Sequence, residues 1–137
     1  MPGYSGTPLA KKLGFKPGTR VALVDVADDV LAELAAAIAD AQVVKGKKGP
    51  LDLVLFSTKS RSDLQKDFAF WMKQLAPNGA LWISWPKKTS GVASDLDENK
   101  VRALGLAIGL VDVKVCAVSD VWSGLKFVIP VKDRPKK

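Results

Sequence analysis

The sequence predicts an α/β domain with a mostly parallel sheet, helices on both faces and an antiparallel strand near its C-terminal end. Apolar patterns with strand and helix spacing alternate in the order β-α-β-β-α-β-α-β-β, which favours a parallel sheet with crossover helices. "LDLVLF" at 51–56 is almost continuously apolar, as expected of a strand covered on both faces. "DVWSG" at 120–124 is too short for a crossover helix, so the two strands that it joins must be antiparallel.

The first half of the chain is predicted to begin with a short helix, which starts at Thr7-Pro8 and ends at Gly14. A strand over 20–25 follows, and then a helix over 28–41 that Asp28 caps. The apolar face of this helix has helical spacing and contains Val30, Leu31, Leu34, Ala35 and Ile38. The remaining predicted elements of this half are a short strand at 42–45, a charged turn at 46–50 and the strand at 51–56.

In the second half, Ser60 and Asp63 resemble a capping box that opens a helix ended by "PNG" at 77–79. The apolar face of that helix is Leu64, Phe68, Trp71, Met72 and Leu75. A strand at 80–85 follows. Asp95 with Glu98 is predicted to cap the next helix, which Gly109 closes. Two strands, at 111–119 and 125–131, complete the pattern.

The length of 137 residues fits one domain, with an arm and short helix at 1–18 and a frayed basic tail at 132–137. The N-terminal sequence has no apolar signal region, and the longest uncharged apolar run, 103–111, is about half a membrane span. We therefore expect a soluble, cytoplasmic protein that does not bind membranes. The sequence predicts neither an oligomeric state nor a role for the arm at 4–7.

Composition excludes several kinds of site. The chain has one cysteine, Cys116, and no histidine, which excludes an intrachain disulfide, a Cys/His zinc site and a histidine-based triad. We predict no metal site, and a packing role for Cys116. The formal charge of +7 comes from 17 lysines and four arginines spread along the chain. Because arginine is the residue suited to bidentate phosphate contacts, this composition favours a solvated basic surface over nucleic-acid binding.

"LDLVLF", "LAPNGALWIS" and "GLVDVKV" followed by "GLKFVI" resemble the second half of a class I S-adenosylmethionine-dependent methyltransferase, over residues 51–131. The resemblance implies a Rossmann-like sheet in which the strand at 125–131 lies antiparallel between those at 80–85 and 111–119. Such enzymes have a glycine-rich loop after the first strand and an acidic residue after the second. This chain has "VDVADD" at 24–29 and, near the second strand, Lys45, Lys47 and Lys48. The stretch 41–51 also lacks room for a further helix, strand and helix. We therefore predict a reduced relative without the cofactor.

A closer resemblance covers residues 4–128. "YSGTPLAKKLG", "WPKKTSG" and "VCAVSDVWSGLKF" are similar to strings in small bacterial proteins of unknown function. This second resemblance implies relatives without implying an activity.

The candidate site lies at the carboxyl ends of the strands, where open α/β sheets bind ligands. Lysines, hydroxyls and backbone N–H groups after the strand at 80–85 are suited to a carboxylate or phosphate, and two tryptophans supply an apolar wall. The predicted ligand-binding residues are Trp85, Lys87, Lys88, Thr89, Ser90, Trp122, Ser123, Ser57 and Thr58. Asp25, Asp28, Asp29 and Lys59 are expected on the same rim. The simpler interpretation of 87–91 is a basic turn that caps the next helix.

No general base with a matched proton donor accompanies these lysines, so no catalytic residue is predicted. The sequence favours a noncatalytic domain that binds a small anionic ligand or an acidic partner at this rim. The alternatives are a divergent methyltransferase, a nucleic-acid-binding protein and a protein adaptor.

Overall fold

The computed structural model describes residues 8–44 and 49–134. The arm at 4–7, the end of the tail and Lys45, Lys47 and Lys48 lie outside the described residues. The elements, in chain order, are α1 (Leu9–Leu13), β1 (Arg20–Val24), α2 (Asp28–Glu33), α3 (Ala35–Asp40), β2 (Gln42–Val43), β3 (Leu51–Ser57), α4 (Arg61–Gln74), β4 (Leu75–Pro86), α5 (Glu98–Ala107), β5 (Val111–Ala117) and β6 (Trp122–Val128). Short 3₁₀ turns lie at Lys88–Ser90 and Val131–Asp133. Within the described ranges, no helix has the length and apolar character to cross a membrane.

The strands form one six-stranded sheet in the order β2-β1-β3-β4-β6-β5. The pairs β1–β2, β1–β3 and β3–β4 are parallel. β6 is antiparallel to both of its neighbours, β4 and β5. The predicted α/β fold class and the insertion of the last strand between its two predecessors are therefore confirmed.

The connection between β5 and β6 is tighter than the sequence suggested. The Ser119 hydroxyl accepts hydrogen bonds from the N–H groups of Val121 and Trp122, at 3.1 and 3.0 Å. Since this turn reverses the chain within 118–121, Trp122 already pairs with Pro86. The prediction that 120–124 forms the connection and that the last strand starts at 125 was therefore wrong, because Trp122, Ser123 and Gly124 belong to β6.

The strand β4 begins earlier than predicted, at Leu75, directly after α4. The segment 77–79 was expected to end the helix and instead lies within β4, where the pairing with β3 shifts register between Leu51 and Leu53. At Gly79 a Cβ atom would lie 2.6 Å from the Leu51 carbonyl oxygen. Glycine therefore permits the close backbone approach at this irregularity.

The ends of the helices show which of the predicted caps and boundaries are present. The Ser60 hydroxyl accepts from the Asp63 N–H at 3.3 Å, as predicted for the start of α4. The helix expected over 28–41 is divided at Leu34 into α2 and α3. Asp28 was the predicted cap and lies in the first turn of α2, whereas Ala27 occupies the cap position without a side-chain bond.

The cap of α5 is Asp97, whose carboxylate accepts from the Lys100 N–H at 2.8 Å. Asp95, the predicted cap, accepts from the Arg61 N–H at 2.8 Å instead. Asp97, which is two residues nearer α5 than Asp95, therefore caps this helix, and Asp95 instead binds the start of α4.

Two hydrophobic clusters cover the two faces of the sheet. On the first face, α4 and α5 pack on β-strand residues such as Leu81, Ile83 and Trp85. There the rings of Phe68 and Phe127 meet edge to face, with centroids 5.3 Å apart. The second face carries α1 and α2 and includes Leu9, Leu13, Val21, Val30, Leu34, Leu53, Leu55, Trp82 and Trp122. Cys116 packs against this second cluster, and burial raises the pKa of its thiol.

Trp82 connects α1 to the second face. Its side chain is fully buried, and its indole Nε1 donates a hydrogen bond to the Leu13 carbonyl oxygen at 2.9 Å. On the neighbouring strand, a Cβ atom at Gly124 would come within 3.2 Å of the Trp82 ring and 2.9 Å of Val118. Gly124 therefore leaves room for the indole.

We expect Trp82→Phe to destabilise the fold more than Trp71→Phe. Both changes remove the same atoms from a buried ring, since Trp71 is only 5% exposed. Only the first leaves a buried carbonyl, that of Leu13, without its partner, which costs about 1–3 kcal/mol. Urea unfolding of both variants measures this difference, and equal losses would show that the hydrogen bond to Leu13 contributes nothing.

Candidate functional site

A cleft of about 420 Å³ opens at the carboxyl ends of β1 and β3, beside the start of β6. Its lining residues are Asp25, Ala27, Ser57, Thr58, Lys59, Asp63 and Trp122. The cleft lies where the sequence placed the candidate site. It brings together three of the predicted binding residues, Ser57, Thr58 and Trp122.

A second serine, Ser84, lies beside the cleft residue Ser57 on the neighbouring strand. Ser57 and Ser84 are register partners on β3 and β4 and are 4% and 0% exposed. By strand alternation, both lie on the second face, with Leu55 and Trp82. The Ser84 Oγ is buried and has no hydrogen-bond partner among the described residues. Such a group costs free energy and therefore calls for an explanation.

Ser84 is the residue that the sequence analysis did not select. It was placed inside an apolar strand, and its hydroxyl was given no role. The serine in "WISWP" is the one polar residue between Trp82 and Pro86. Such a residue in a buried central strand is the available sequence signal, because serine is seldom fully buried.

Thr58 belongs to the turn that leads from β3 into α4. Its N–H donates to the Ser84 carbonyl at 2.9 Å, and its hydroxyl accepts from the Ser60 N–H at 3.3 Å. These bonds fix the backbone that carries Lys59 and Asp63 at the cleft. The side chain of Lys59 makes no ion pair with any described residue.

Asp25 terminates β1 in a left-handed conformation, with φ at 55°. Glycine adopts this conformation most readily, although aspartate tolerates it better than most residues do. The sharp turn after the first strand is therefore retained without glycine. It places Asp25 in the lining of the cleft, at the position where the methyltransferase resemblance implied a glycine-rich loop.

The lysine turn, residues 87–91, lies outside the residues that line the cleft. The Lys87 N–H donates to the Val121 carbonyl at 2.8 Å. The Ser90 hydroxyl donates to the Lys87 carbonyl at 2.6 Å and accepts from the Val92 N–H at 3.1 Å. Gly91 then closes the turn with φ at 79°. The Ser90 hydroxyl is therefore used within the turn, whereas the Lys87 and Thr89 side chains make no hydrogen bond or ion pair with described residues.

Lys88 faces the start of α5. Its Nζ lies 4.0 Å from Asp97 Oδ2, and its side chain is 81% exposed. The Lys100 N–H, which donates to Asp97, holds the pKa of that carboxyl below its ordinary value. Because exposed ion pairs are weak, Lys88 remains accessible to another anion.

The loop after β4 reaches across to the loop after β3. The Ser94 hydroxyl donates to the Lys59 carbonyl at 2.7 Å, and Asp95 binds the Arg61 N–H. These two contacts place the lysine turn and the Lys59 loop on one rim of the sheet.

The two tryptophans proposed as one wall lie on different faces. Trp85 is 4% exposed and packs in the first-face cluster, whereas Trp122 packs in the second-face cluster and lines the cleft. Ser123, the register partner of Trp85, is partly exposed and is absent from the cleft lining. Among the cleft's lining residues, only Trp122 therefore supplies an indole wall.

Comparison with known families matches residues 10–131 to the family described as a protein of unknown function (DUF3052). No curated protein is similar enough to count as a match. Solved structures that resemble the chain include a SAM-dependent methyltransferase from Aquifex aeolicus, with 15% identity, a TM-score of 0.59 and coverage of 89% of this chain and 88% of that one.

Another similar structure is a putative type 11 methyltransferase from Sulfolobus solfataricus, with 14% identity, a TM-score of 0.59 and coverage of 93% of each chain. A magnesium protoporphyrin IX methyltransferase from Synechocystis PCC 6803, with bound SAH, has 11% identity and a TM-score of 0.56 over 83% of this chain and 75% of that one. At these identities the likeness establishes a methyltransferase-like fold.

The residues at the cleft lack the features that the methyltransferase resemblance implied for holding S-adenosylmethionine. Asp25 puts a carboxylate into the turn where backbone alone was expected to approach the cofactor. The predicted replacement of the ribose-binding acid is Lys45, which lies outside the described residues. Over the described ranges, no cluster of three metal-ligating side chains is present.

We expect Ser84→Ala to stabilise the protein. Removing an unpartnered, fully buried hydroxyl relieves its desolvation cost, for a gain of about 1 kcal/mol, or a rise in Tm of about 3 °C. Ser57→Ala provides a matched comparison on the next strand and should change Tm less, because the Ser57 hydroxyl retains contact with solvent at the cleft. A lower Tm for Ser84→Ala in calorimetry would contradict this account of its hydroxyl.

Proposed function

The chain belongs to the family described as a protein of unknown function (DUF3052), and we propose that it is a noncatalytic domain that binds a small anionic ligand at the cleft. The observation that carries the proposal is the cleft itself, at the carboxyl rim of an open α/β sheet and lined by Lys59, whose ammonium group makes no ion pair with the described residues. Lys87 and Lys88 add positive charge on the same rim.

The ligand is small because the cleft is small. A volume of about 420 Å³ lies at the lower end of the range for small-molecule sites, which is roughly 300–1,000 Å³. Trp122 offers an apolar wall, and Ser57 and Lys59 offer polar contacts. An acidic protein partner would instead engage the exposed lysine turn and leave most of the cleft unfilled.

Binding is favoured over turnover by the hydrogen bonds of the cleft. A serine nucleophile needs a base within hydrogen-bond reach. In the described part of the chain, no hydrogen bond joins the Ser57 hydroxyl to the carboxylate of Asp25 or Asp63. We therefore assign Lys59 the role of pairing with the negative charge of the ligand.

We predict that Lys59→Ala weakens binding of a phosphate monoester by about tenfold or more, because a hydrogen bond to a charged group contributes about 1.5–3 kcal/mol. Ribose 5-phosphate, titrated by calorimetry, is a suitable probe. Lys66→Ala, an exposed lysine on α4 away from the cleft, is the matched control and should bind normally. Both variants should have a free energy of unfolding within about 0.5 kcal/mol of that of the parent protein.

The double variant Lys87→Ala/Lys88→Ala distinguishes two positions for the anion. If this variant loses binding while Lys59→Ala keeps it, the anion binds on the lysine turn. If neither variant changes the affinity of a probe that does bind, the rim is not the site and the proposal fails.

The alternative is a divergent methyltransferase, which the similarity in fold supports. Because a ligand that binds only the folded state raises Tm by mass action, S-adenosylmethionine distinguishes the two functions. We expect no shift in Tm at millimolar S-adenosylmethionine, since Asp25 lies in the turn where a glycine-rich loop was implied and Lys45 replaces the implied ribose-binding acid. A dissociation constant in the micromolar range would favour the enzyme instead.

A further inference from the structure

We infer that the ligand carries hydroxyl groups beside its anionic group, as in a sugar phosphate or a nucleoside 5′-monophosphate. This inference rests on the proposed binding of a small anion at the cleft, and it specifies which anions the cleft accepts. The relevant groups are the carboxylates of Asp25 and Asp63 and the hydroxyl of Ser57.

The two carboxylates exclude a simple anion as the full occupant. An ionised carboxylate only accepts hydrogen bonds. Asp25 and Asp63 line the cleft with Lys59, so its charged groups are two acceptors and one cation. Phosphate or sulfate alone would place its acceptor oxygens next to these carboxylates, which have no hydrogen to donate. A ligand that fills the cleft must therefore present donors toward Asp25 while its anion meets Lys59.

The Ser57 hydroxyl indicates that these donors are hydroxyls rather than an ammonium group. A serine hydroxyl offers one donor and two acceptor positions, and Ser57 lines the cleft. A ligand hydroxyl both donates and accepts, so it satisfies Asp25 and Ser57 together. An ammonium group only donates, and it would leave the hydrogen of the Ser57 hydroxyl without an acceptor.

Ser57 is the serine that the ligand reaches. It is 4% exposed and lines the cleft, whereas Ser84 is fully buried and does not. The Ser57 hydroxyl makes no hydrogen bond within the described chain, so its donor and acceptor positions are open to the ligand. The Trp122 ring provides an apolar surface for the C–H face of a sugar.

The test compares ribose 5-phosphate with 2-deoxyribose 5-phosphate, and AMP with 2′-deoxy-AMP, by calorimetry on the full chain. We expect the hydroxylated member of each pair to bind about tenfold more tightly, the effect of a hydrogen bond to a charged group. Tighter binding of AMP than of ribose 5-phosphate would identify a nucleotide, and the reverse would identify a sugar phosphate.

Asp25→Asn should abolish most of this discrimination while leaving the fold intact, because asparagine also tolerates the left-handed conformation at this position. Asp29 is an exposed residue of α2 that does not line the cleft. Asp29→Asn is therefore the control and should keep the discrimination. Ser57→Ala should also reduce the discrimination, because this serine lines the cleft.

Equal affinities within both pairs would overturn the inference and leave anion binding at the cleft in place. If none of the four compounds binds, the proposed function fails and the inference fails with it. Unchanged discrimination in Asp25→Asn would also overturn the inference, because the hydroxyl would then be recognised elsewhere.

Discussion

The packing of Trp82 is the constraint on which the arrangement of the second face depends. This ring lies in β4, next to the inserted strand β6, and is fully buried. On one side it holds α1 through the hydrogen bond to Leu13, and on the other it requires a residue without a side chain at Gly124. Two distant parts of the chain therefore meet at one indole. Close packing of this kind leaves little freedom to shift β6 relative to β4.

The cleft follows from that arrangement. With β6 fixed in register, Trp122 lies opposite Pro86, and Ser84 lies between Ser57 and Gly124. Two unfavourable features lie near this rim: the Ser84 Oγ has no partner among the described residues, and Asp25 in the cleft lining has a positive φ. Such local costs are compatible with the proposed binding site at this rim.

The sequence predicted the features that depend on neighbouring residues. Ser60 caps α4 because its partner, Asp63, is three residues away, and the short connection after β5 fixed the antiparallel direction of β6. The apolar run at 51–56 became β3, one residue longer than predicted. The insertion of β6 came from a resemblance, since local spacing specifies direction but not which strand is the neighbour.

The features that were missed depend on distant contacts. Asp95 and Asp97 are equivalent as local caps, and the choice between them reflects the position of the Arg61 N–H, 34 residues away. The sequence of β4 alone does not show that the Ser84 hydroxyl lacks a hydrogen-bond partner among the described residues. That lack depends on the side chains packed around Ser84. Similarly, the separation of Trp85 from Trp122 depends on the face that each strand presents, which an error of one residue in register would reverse.

The lysine turn shows why net charge is a poor guide to this site. The chain has a formal charge of +7, yet two of the three charged residues in the cleft are acidic. The lysines at 87 and 88 are adjacent in sequence, but Lys88 lies beside Asp97, whereas the Lys87 N–H donates to the Val121 carbonyl. Charge interactions fall off within about 8 Å at physiological salt. Under the proposed function, selectivity at the cleft depends on Asp25, Lys59 and Ser57, and the basic residues elsewhere mainly increase the rate at which an anion encounters the surface.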